Sequence, residues 1–191
     1  MSESAVGESY HPIAKALHWI IFVLFTIMFI LGFILMGSDG VKARGFDWGP
    51  IFDWHATIGL IVLVLAIIRI WFRARTPLPS WAPGLSAGER KLAHWTERIM
   101  YFVMIAKPVS GYIMAGAAGY NIDLFVQIRL GNPFGDSGVN SDGGLYDVAL
   151  FVHIVTGIGF LIVWVIHVGQ ALRHQFVKKD HLLERMLPRL G

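Results

Sequence analysis

The chain has 191 residues, of which 55% are hydrophobic and only 15% charged, with a formal net charge of +3. This composition is too apolar for a soluble domain of that length and indicates a single membrane-embedded domain over residues 1–191. The absence of cysteine excludes disulfides, iron–sulfur clusters and covalently attached c-type haem. No basic patch interleaves with aromatic residues, so we expect no nucleic-acid partner.

Four apolar stretches are long enough to cross a bilayer, and each predicts a transmembrane helix. They cover about residues 17–36, 52–72, 99–118 and 148–172. The first stretch lacks a small-residue cleavage motif after it, so we expect it to remain in the mature protein. The predicted fold class is therefore an all-α membrane protein, a four-transmembrane-helix bundle embedded in lipid.

Lysine and arginine are distributed unevenly around these helices. Eleven lie in the N-terminal tail, the second connection and the C-terminal tail, whereas the other two connections hold only Lys42, Arg44 and Arg129. The positive-inside rule therefore predicts that both termini are cytoplasmic. Ser86 is a predicted helix cap at the end of the inner loop, and the outer connection at about 119–147 is rich in turn residues and expected to be irregular.

Five histidines lie at the ends of the apolar segments. The alternation of helices places His18, His94 and His167 at an inner level and His55 and His153 at an outer level. Because His153 and His167 are fourteen residues apart, they rise about 21 Å over nearly four full turns and point from one helix face. His11, His174 and His181 are expected to be exposed groups that form hydrogen bonds near the membrane surface.

Imidazoles at two levels are what two stacked haem groups require, since each iron takes one axial nitrogen from either side. An imidazole inside a bilayer must form hydrogen bonds, pair or ligate. The outer pair would be His55 with His153, and the inner pair His167 with either His18 or His94. A zinc or copper site is the alternative, but it would gather its ligands at one level.

Two glycines extend this pattern, because Gly59 in "HATIG" and Gly157 in "HIVTG" each follow a histidine by four residues. That position lies one turn away on nearly the same face, where a missing side chain leaves room for a flat macrocycle. Glycine is also common in membrane helices for close packing, so both interpretations remain open.

Two basic side chains lie within the predicted spans. Arg69, at the inner end of the second helix, either snorkels to lipid phosphate or pairs with a propionate of the inner haem. Lys107, in the outer half of the third helix, is expected to reach a haem propionate or an aspartate of the outer loop.

Three segments resemble the bacterial cytochrome b561 family, which are four-helix, di-haem b proteins of the inner membrane. They are "YHPIAKALHW", "DWHATIGLIVLVLAIIRIWFR" and "VHIVTGIGFLIVWVIHVGQALRHQFVKKDHLLERMLP". The resemblance covers nearly the whole chain except the outer loop. It implies that His18 and His167 ligate the inner haem and that His55 and His153 ligate the outer one. It also implies a quinone contact near His174, with His94 as a nearby group.

The resemblance implies electron transfer between a periplasmic-side donor and the quinone pool, with ubiquinone as the expected acceptor. One branch of the family oxidises superoxide, for which a basic outer surface would be expected. Here the outer segments carry three bases against seven aspartates, namely Asp39, Asp47, Asp53, Asp123, Asp136, Asp142 and Asp147.

An acidic face suits the docking of a partner protein better than the capture of an anion. The second hypothesis is therefore a haem-bearing anchor and electron-relay subunit for a periplasmic dehydrogenase or hydrogenase. A third hypothesis is a structural or transport protein without redox function.

Overall fold

The computed structural model describes residues 9–37, 47–82, 84–132, 134–135 and 144–187. Over these ranges the chain forms four long helices, α1 (Pro12–Met36), α2 (Gly49–Arg75), α3 (Ala87–Ala117) and α4 (Leu145–Leu172). Each is long and apolar enough to cross a membrane. The prediction of a four-helix membrane bundle is confirmed.

The helices extend beyond the predicted spans, because the predicted bounds followed only the apolar residues. Helix α3 begins twelve residues earlier than expected, at a capping box formed by Ser86 and Glu89. The Ser86 hydroxyl accepts a hydrogen bond from the Glu89 amide at 3.3 Å, and the Glu89 carboxylate accepts one from the Ser86 amide at 3.0 Å. These bonds satisfy amides that a helix start leaves unpaired, and they confirm the predicted cap.

The helices alternate in direction, so the bundle has two ends. The terminal end contains the start of α1, the end of α2, the start of α3 and the end of α4. The opposite end, called the hairpin end, carries an antiparallel hairpin of β1 (Asp123–Leu124) and β2 (Ile128–Arg129). This connection was predicted to be irregular. Its turn has Phe125 and Val126 at positive φ, a conformation normally filled by glycine or asparagine.

A cleft separates α4 from α1 and α2. Helix α4 packs closely against α3, and α1 against α2, but in the described part of the chain no Cα atom of α4 lies within 8 Å of one in α1 or α2. Packed helices normally approach to about 8–10 Å between axes, which brings many Cα atoms closer than this. Side chains alone therefore bridge the cleft.

The middle of the cleft is filled by an aromatic layer. Phe25 of α1 and Phe160 of α4 stack with their ring centroids 4.2 Å apart, and Phe160 is almost fully buried. Phe29 and Trp164 pack against this pair. Because Phe160 lies seven residues from both His153 and His167, this layer stands between the two histidine levels.

After α4 the chain returns across the terminal end as a tail segment, residues 173–187. It consists of a π-helical turn (Arg173–Lys178) and a 3-10 turn (Leu182–Arg185), with Lys179 and His181 in the left-handed region between them. The Trp19 indole donates to the Met186 carbonyl at 2.9 Å and the Lys15 ammonium to the Leu187 carbonyl at 3.0 Å. These bonds hold the tail segment against the start of α1.

Candidate functional site

Two pairs of histidines face each other across the cleft. At the hairpin end, the rings of His55 on α2 and His153 on α4 have centroids 6.3 Å apart. At the terminal end, the rings of His18 on α1 and His167 on α4 have centroids 5.9 Å apart. Each pair takes one imidazole from α4 and one from the opposite side of the cleft.

The backbone of α3 orients His153. Its Nδ1 lies 2.9 Å from the Lys107 carbonyl oxygen, which can only accept, so Nδ1 carries the proton and Nε2 is left with a lone pair. Gly111 makes this approach feasible, because a Cβ there would lie 2.9 Å from His153 Cε1. This arrangement is typical of histidine ligands, in which one nitrogen is fixed by a hydrogen bond while the other is free to ligate.

His55 has a different environment. Its Nδ1 is buried and has no hydrogen-bond partner among the described residues, a costly state for a polar atom in an apolar interior. Gly32 of α1 faces this ring, and a Cβ there would lie 3.6 Å from His55 Cε1. The imidazole is therefore held between helices without a protein partner for that nitrogen.

The spacing of both pairs fits axial ligation of a haem iron. Two metal–imidazole bonds of about 2 Å each, with the ring radii added on either side, place two axial imidazoles roughly 6 Å apart between centroids. Both measured separations lie near this value. Among the described residues no cluster of three or more His, Asp or Glu side chains is arranged to hold a metal ion. The donor set at each level is a pair, as a haem requires.

A half-buried cation accompanies each pair. The Lys107 ammonium lies 3.1 Å from His153 Nε2, and the Arg69 guanidinium lies 3.4 Å from His18 Nδ1. Arg69 also donates to the Ala14 carbonyl at 2.9 Å, so it is directed toward α1 rather than toward lipid phosphate. Within the described ranges neither cation has a carboxylate oxygen within 4.0 Å. The expected contact of Lys107 with an outer-loop aspartate is therefore absent among the described residues, because its side chain crosses to α4 instead.

The spaces beside Gly59 and Gly157 are occupied by side chains. A Cβ at Gly59 would lie 3.4 Å from the end of Met28, and a Cβ at Gly157 would lie 2.7 Å from the Lys107 ammonium. The glycines that lie against the imidazoles are instead Gly32 of α1, beside His55, and Gly111 of α3, beside His153. The sequence did not indicate either glycine, because residue spacing within one helix gives no information on which residues of another helix it contacts.

His174 is buried, with an exposed fraction of 2%, although it was expected to be exposed. The tail segment folds over it, and its Nδ1 lies 2.6 Å from the Asp180 carboxylate. On its other side, Glu89 lies 3.7 Å away and forms ion pairs with Arg173 and Lys178 at 2.8 and 2.6 Å. His94 is exposed on α3. His11, which was also expected at the membrane surface, caps α1 by accepting a hydrogen bond from the Ile13 amide.

The hairpin end is acidic in its described part. It presents one described base, Arg129, which pairs with Asp123 at 3.2 Å. The other outer bases, Lys42 and Arg44, lie outside the described residues, as do Asp39, Asp136 and Asp142. The hairpin exposes the apolar side chains of Phe125, Val126 and Ile128. The described aspartates at this end of the bundle are Asp47, Asp53, Asp123 and Asp147.

The arrangement of paired histidines in a four-helix membrane bundle is that of a b-type cytochrome, and comparison with known proteins gives the family. The model of the prokaryotic cytochrome b561 family matches residues 9–189, so the chain belongs to that family. It is a membrane electron-transfer protein of a family that carries haem b.

Three relatives are similar over nearly their full length. The chain is 28% identical to cytochrome b561 homolog 2 of Escherichia coli, covering 98% of this chain and 95% of the relative. It is 26% identical to the probable superoxide oxidase CybB of Yersinia pestis, covering 95% and 97%. It is 25% identical to cytochrome b562 of Cereibacter sphaeroides, covering 93% and 94%.

Proposed function

We propose that the chain is a di-haem cytochrome that carries electrons across the bacterial inner membrane, from a periplasmic-side donor to the quinone pool. His55 and His153 hold one haem b, and His18 and His167 hold the other. The observation that carries this proposal is the facing of two imidazole pairs across one cleft, with ring centroids 6.3 and 5.9 Å apart. When bound, the two haems supply reversible one-electron redox steps at two depths.

The protein residues orient and separate these two sites. The Lys107 carbonyl fixes the tautomer of His153, while Gly32 and Gly111 let the imidazoles of the hairpin-end pair lie close to neighbouring helices. Arg69 supplies positive charge beside His18, where it can balance a propionate of the terminal-end haem. The stacked Phe25 and Phe160 exclude water from the space between the two levels.

We orient the bundle with both termini in the cytoplasm, as the distribution of bases predicts. The hairpin end then faces the periplasm, and the terminal end faces the side where quinone contact is expected. We place that contact near His174 and His94. The buried His174–Asp180 pair is suited to exchange a proton with a bound quinone, since an imidazole beside a carboxylate can both accept and donate one.

The experiment is an optical redox titration of the purified protein with haem counting. We expect two haem b per chain, and one after His153→Leu or His167→Leu, because each replacement removes one axial ligand. The two variants should each retain a different one of the two wild-type midpoint potentials. A haem content that does not change in either variant would show that these pairs are not the ligands.

Two versions of the proposed function differ in the electron donor. Superoxide is one candidate, since the Yersinia pestis relative is named a probable superoxide oxidase. The acidic hairpin end, with exposed Phe125 and Ile128, favours the alternative, a haem-bearing anchor and relay subunit for a periplasmic dehydrogenase or hydrogenase. Rapid reduction of the haems by superoxide, followed by ubiquinone reduction, would support the first version. Co-purification with a periplasmic catalytic subunit would support the second.

A further inference from the structure

Among the described residues, Lys107 is a cation without a carboxylate partner. Its ammonium donates to His153 Nε2 at 3.1 Å and to the His153 carbonyl at 3.2 Å. Two of the described acids at the hairpin end have other partners, since Asp123 pairs with Arg129 and Asp53 of α2 accepts from the Asp123 amide. An ammonium in a bilayer interior is costly unless an anion balances it, so its retention at this depth indicates a role.

The packing of α3 against α4 makes a specific place for this ammonium. A Cβ at position 157 would lie only 2.7 Å from Lys107 Nζ, a distance that atoms do not tolerate. Gly157 therefore provides the gap in which the ammonium lies against the backbone of α4. The side chain is built into the hairpin-end site and does not extend to the membrane surface.

The position of Lys107 conflicts with ligation by the same imidazole. His153 donates from Nδ1 to the Lys107 carbonyl, which leaves Nε2 as the ligating nitrogen. That nitrogen is also the acceptor for the Lys107 ammonium. An iron and an ammonium cannot share one lone pair, so Lys107 must leave Nε2 when the haem binds. Its flexible four-carbon stem permits this movement.

We infer that Lys107 binds a propionate carboxylate of the haem held by His55 and His153, and that its charge raises the reduction potential of that haem. This inference rests on the proposed function. Lys107 would turn from Nε2 toward a propionate, which would supply the anion that is lacking beside it among the described residues. A fixed positive charge in a medium of low polarity favours the form of the haem that has gained an electron.

The test compares variants at Lys107 with a matched control. Lys107→Met and Lys107→Gln remove the charge at similar length, and Lys107→Arg retains it. Arg129→Met is the control, because it removes an exposed cation at the same end of the bundle. The His153→Leu variant identifies which midpoint potential belongs to the hairpin-end haem. The readouts are the two midpoint potentials and the propionate bending band in the resonance Raman spectrum.

The neutral variants should lower the reduction equilibrium constant of the hairpin-end haem by about tenfold, which corresponds to about 59 mV for a one-electron couple. The propionate band should shift in the same variants. Lys107→Arg and Arg129→Met should leave both readouts near the wild-type values. Loss of the hairpin-end haem from both neutral variants but not from Lys107→Arg would also support the inference.

Three results would overturn the inference. One is an unchanged potential in the neutral variants with both haems present, and another is a changed potential without any change in the propionate band. Loss of the haem from Lys107→Arg as well would likewise count against it, since a retained cation should suffice. Wild-type protein without two haems would instead reject the proposed function, whatever the Lys107 variants show.

Discussion

The rings of Phe25 and Phe160 stack with their centroids 4.2 Å apart. Among the described residues, this is the only ring pair between α1 and α4 whose centroids lie closer than 5 Å. Phe160 is 1% exposed, so its replacement removes contacts on every side of the ring. We expect Phe160→Ala to lower the free energy of unfolding by about 3–5 kcal/mol, through lost burial and the resulting cavity. The measurement is thermal unfolding in detergent, followed by circular dichroism.

Phe151→Ala is the matched control, because Phe151 lies on the same helix but is 67% exposed to the surroundings of the bundle. It should change the stability by much less. Equal losses in the two variants would mean that the aromatic layer does not stabilise the contact across the cleft.

Gly111 lies directly against His153, where a Cβ would approach Cε1 to 2.9 Å. Gly111→Ala should displace the imidazole and weaken haem binding at the hairpin end by about 10–100-fold, the range observed when the support of a ligating histidine is disturbed. Haem content per chain in the purified protein measures this effect. Gly159→Ala is the control, since a Cβ there meets no atom within 4 Å. A full haem content in Gly111→Ala would argue against ligation by His153 in the described orientation.

Gly157 and Lys107 should behave as a coupled pair, because the Cβ of an alanine at 157 would overlap the ammonium. Gly157→Ala alone should lower the free energy of unfolding by less than about 1 kcal/mol, because the overlap is with the end of a flexible side chain that can move aside. In a Lys107→Ala background no ammonium has to move, so the same change should cost less and the double-mutant cycle should give a coupling free energy of about 0.5 kcal/mol or more. Unfolding measurements on the four proteins provide the cycle. Additive effects would exclude the proposed contact.

Glu89 links the start of α3 to the tail segment through its contacts with Ser86, Arg173 and Lys178. Glu89→Gln should loosen residues 173–187 and increase their rate of amide hydrogen exchange several-fold, with little change in the four helices. Added salt should reduce the difference, since the lost ion pairs are partly exposed. Glu97→Gln breaks a comparable pair with Arg73 but does not contact the tail segment, so exchange there should stay unchanged. Equal exchange rates in the two variants would show that Glu89 does not hold the tail segment against α3.

The helices could be predicted because their signals are local. Long apolar stretches gave the four spans, and Ser86 with Glu89 supplied a visible start for α3, although the predicted bound at residue 99 did not use it. The fourteen-residue spacing of His153 and His167 likewise placed both imidazoles on one face. The helical period and the bilayer thickness determine these features. Residue spacing and the length of an apolar stretch can therefore be interpreted within a single segment.

The contacts between segments could not be predicted in the same way. The meeting of Gly111 with His153, and of Lys107 with Gly157, depends on the rotation of α3 relative to α4. His174 was expected to be exposed because it lies near the end of an apolar segment. The left-handed turns at Lys179 and His181, which return the tail segment over it, lack the glycine or asparagine that would have indicated them. The hairpin turn could not be predicted for the same reason. Phe125 and Val126 occupy positions where glycine or asparagine would have indicated a turn.

The cleft beside α4 has a consequence for the assembly of the protein. Among the four long helices as described, α4 has close backbone packing with α3 only, while side chains alone join it to α1 and α2. Helix packing therefore follows the order of the chain, with α1 on α2, α2 on α3 and α3 on α4. Each helix can pack against its predecessor as it is inserted, so we expect the side-chain contacts between α1 and α4 to form last.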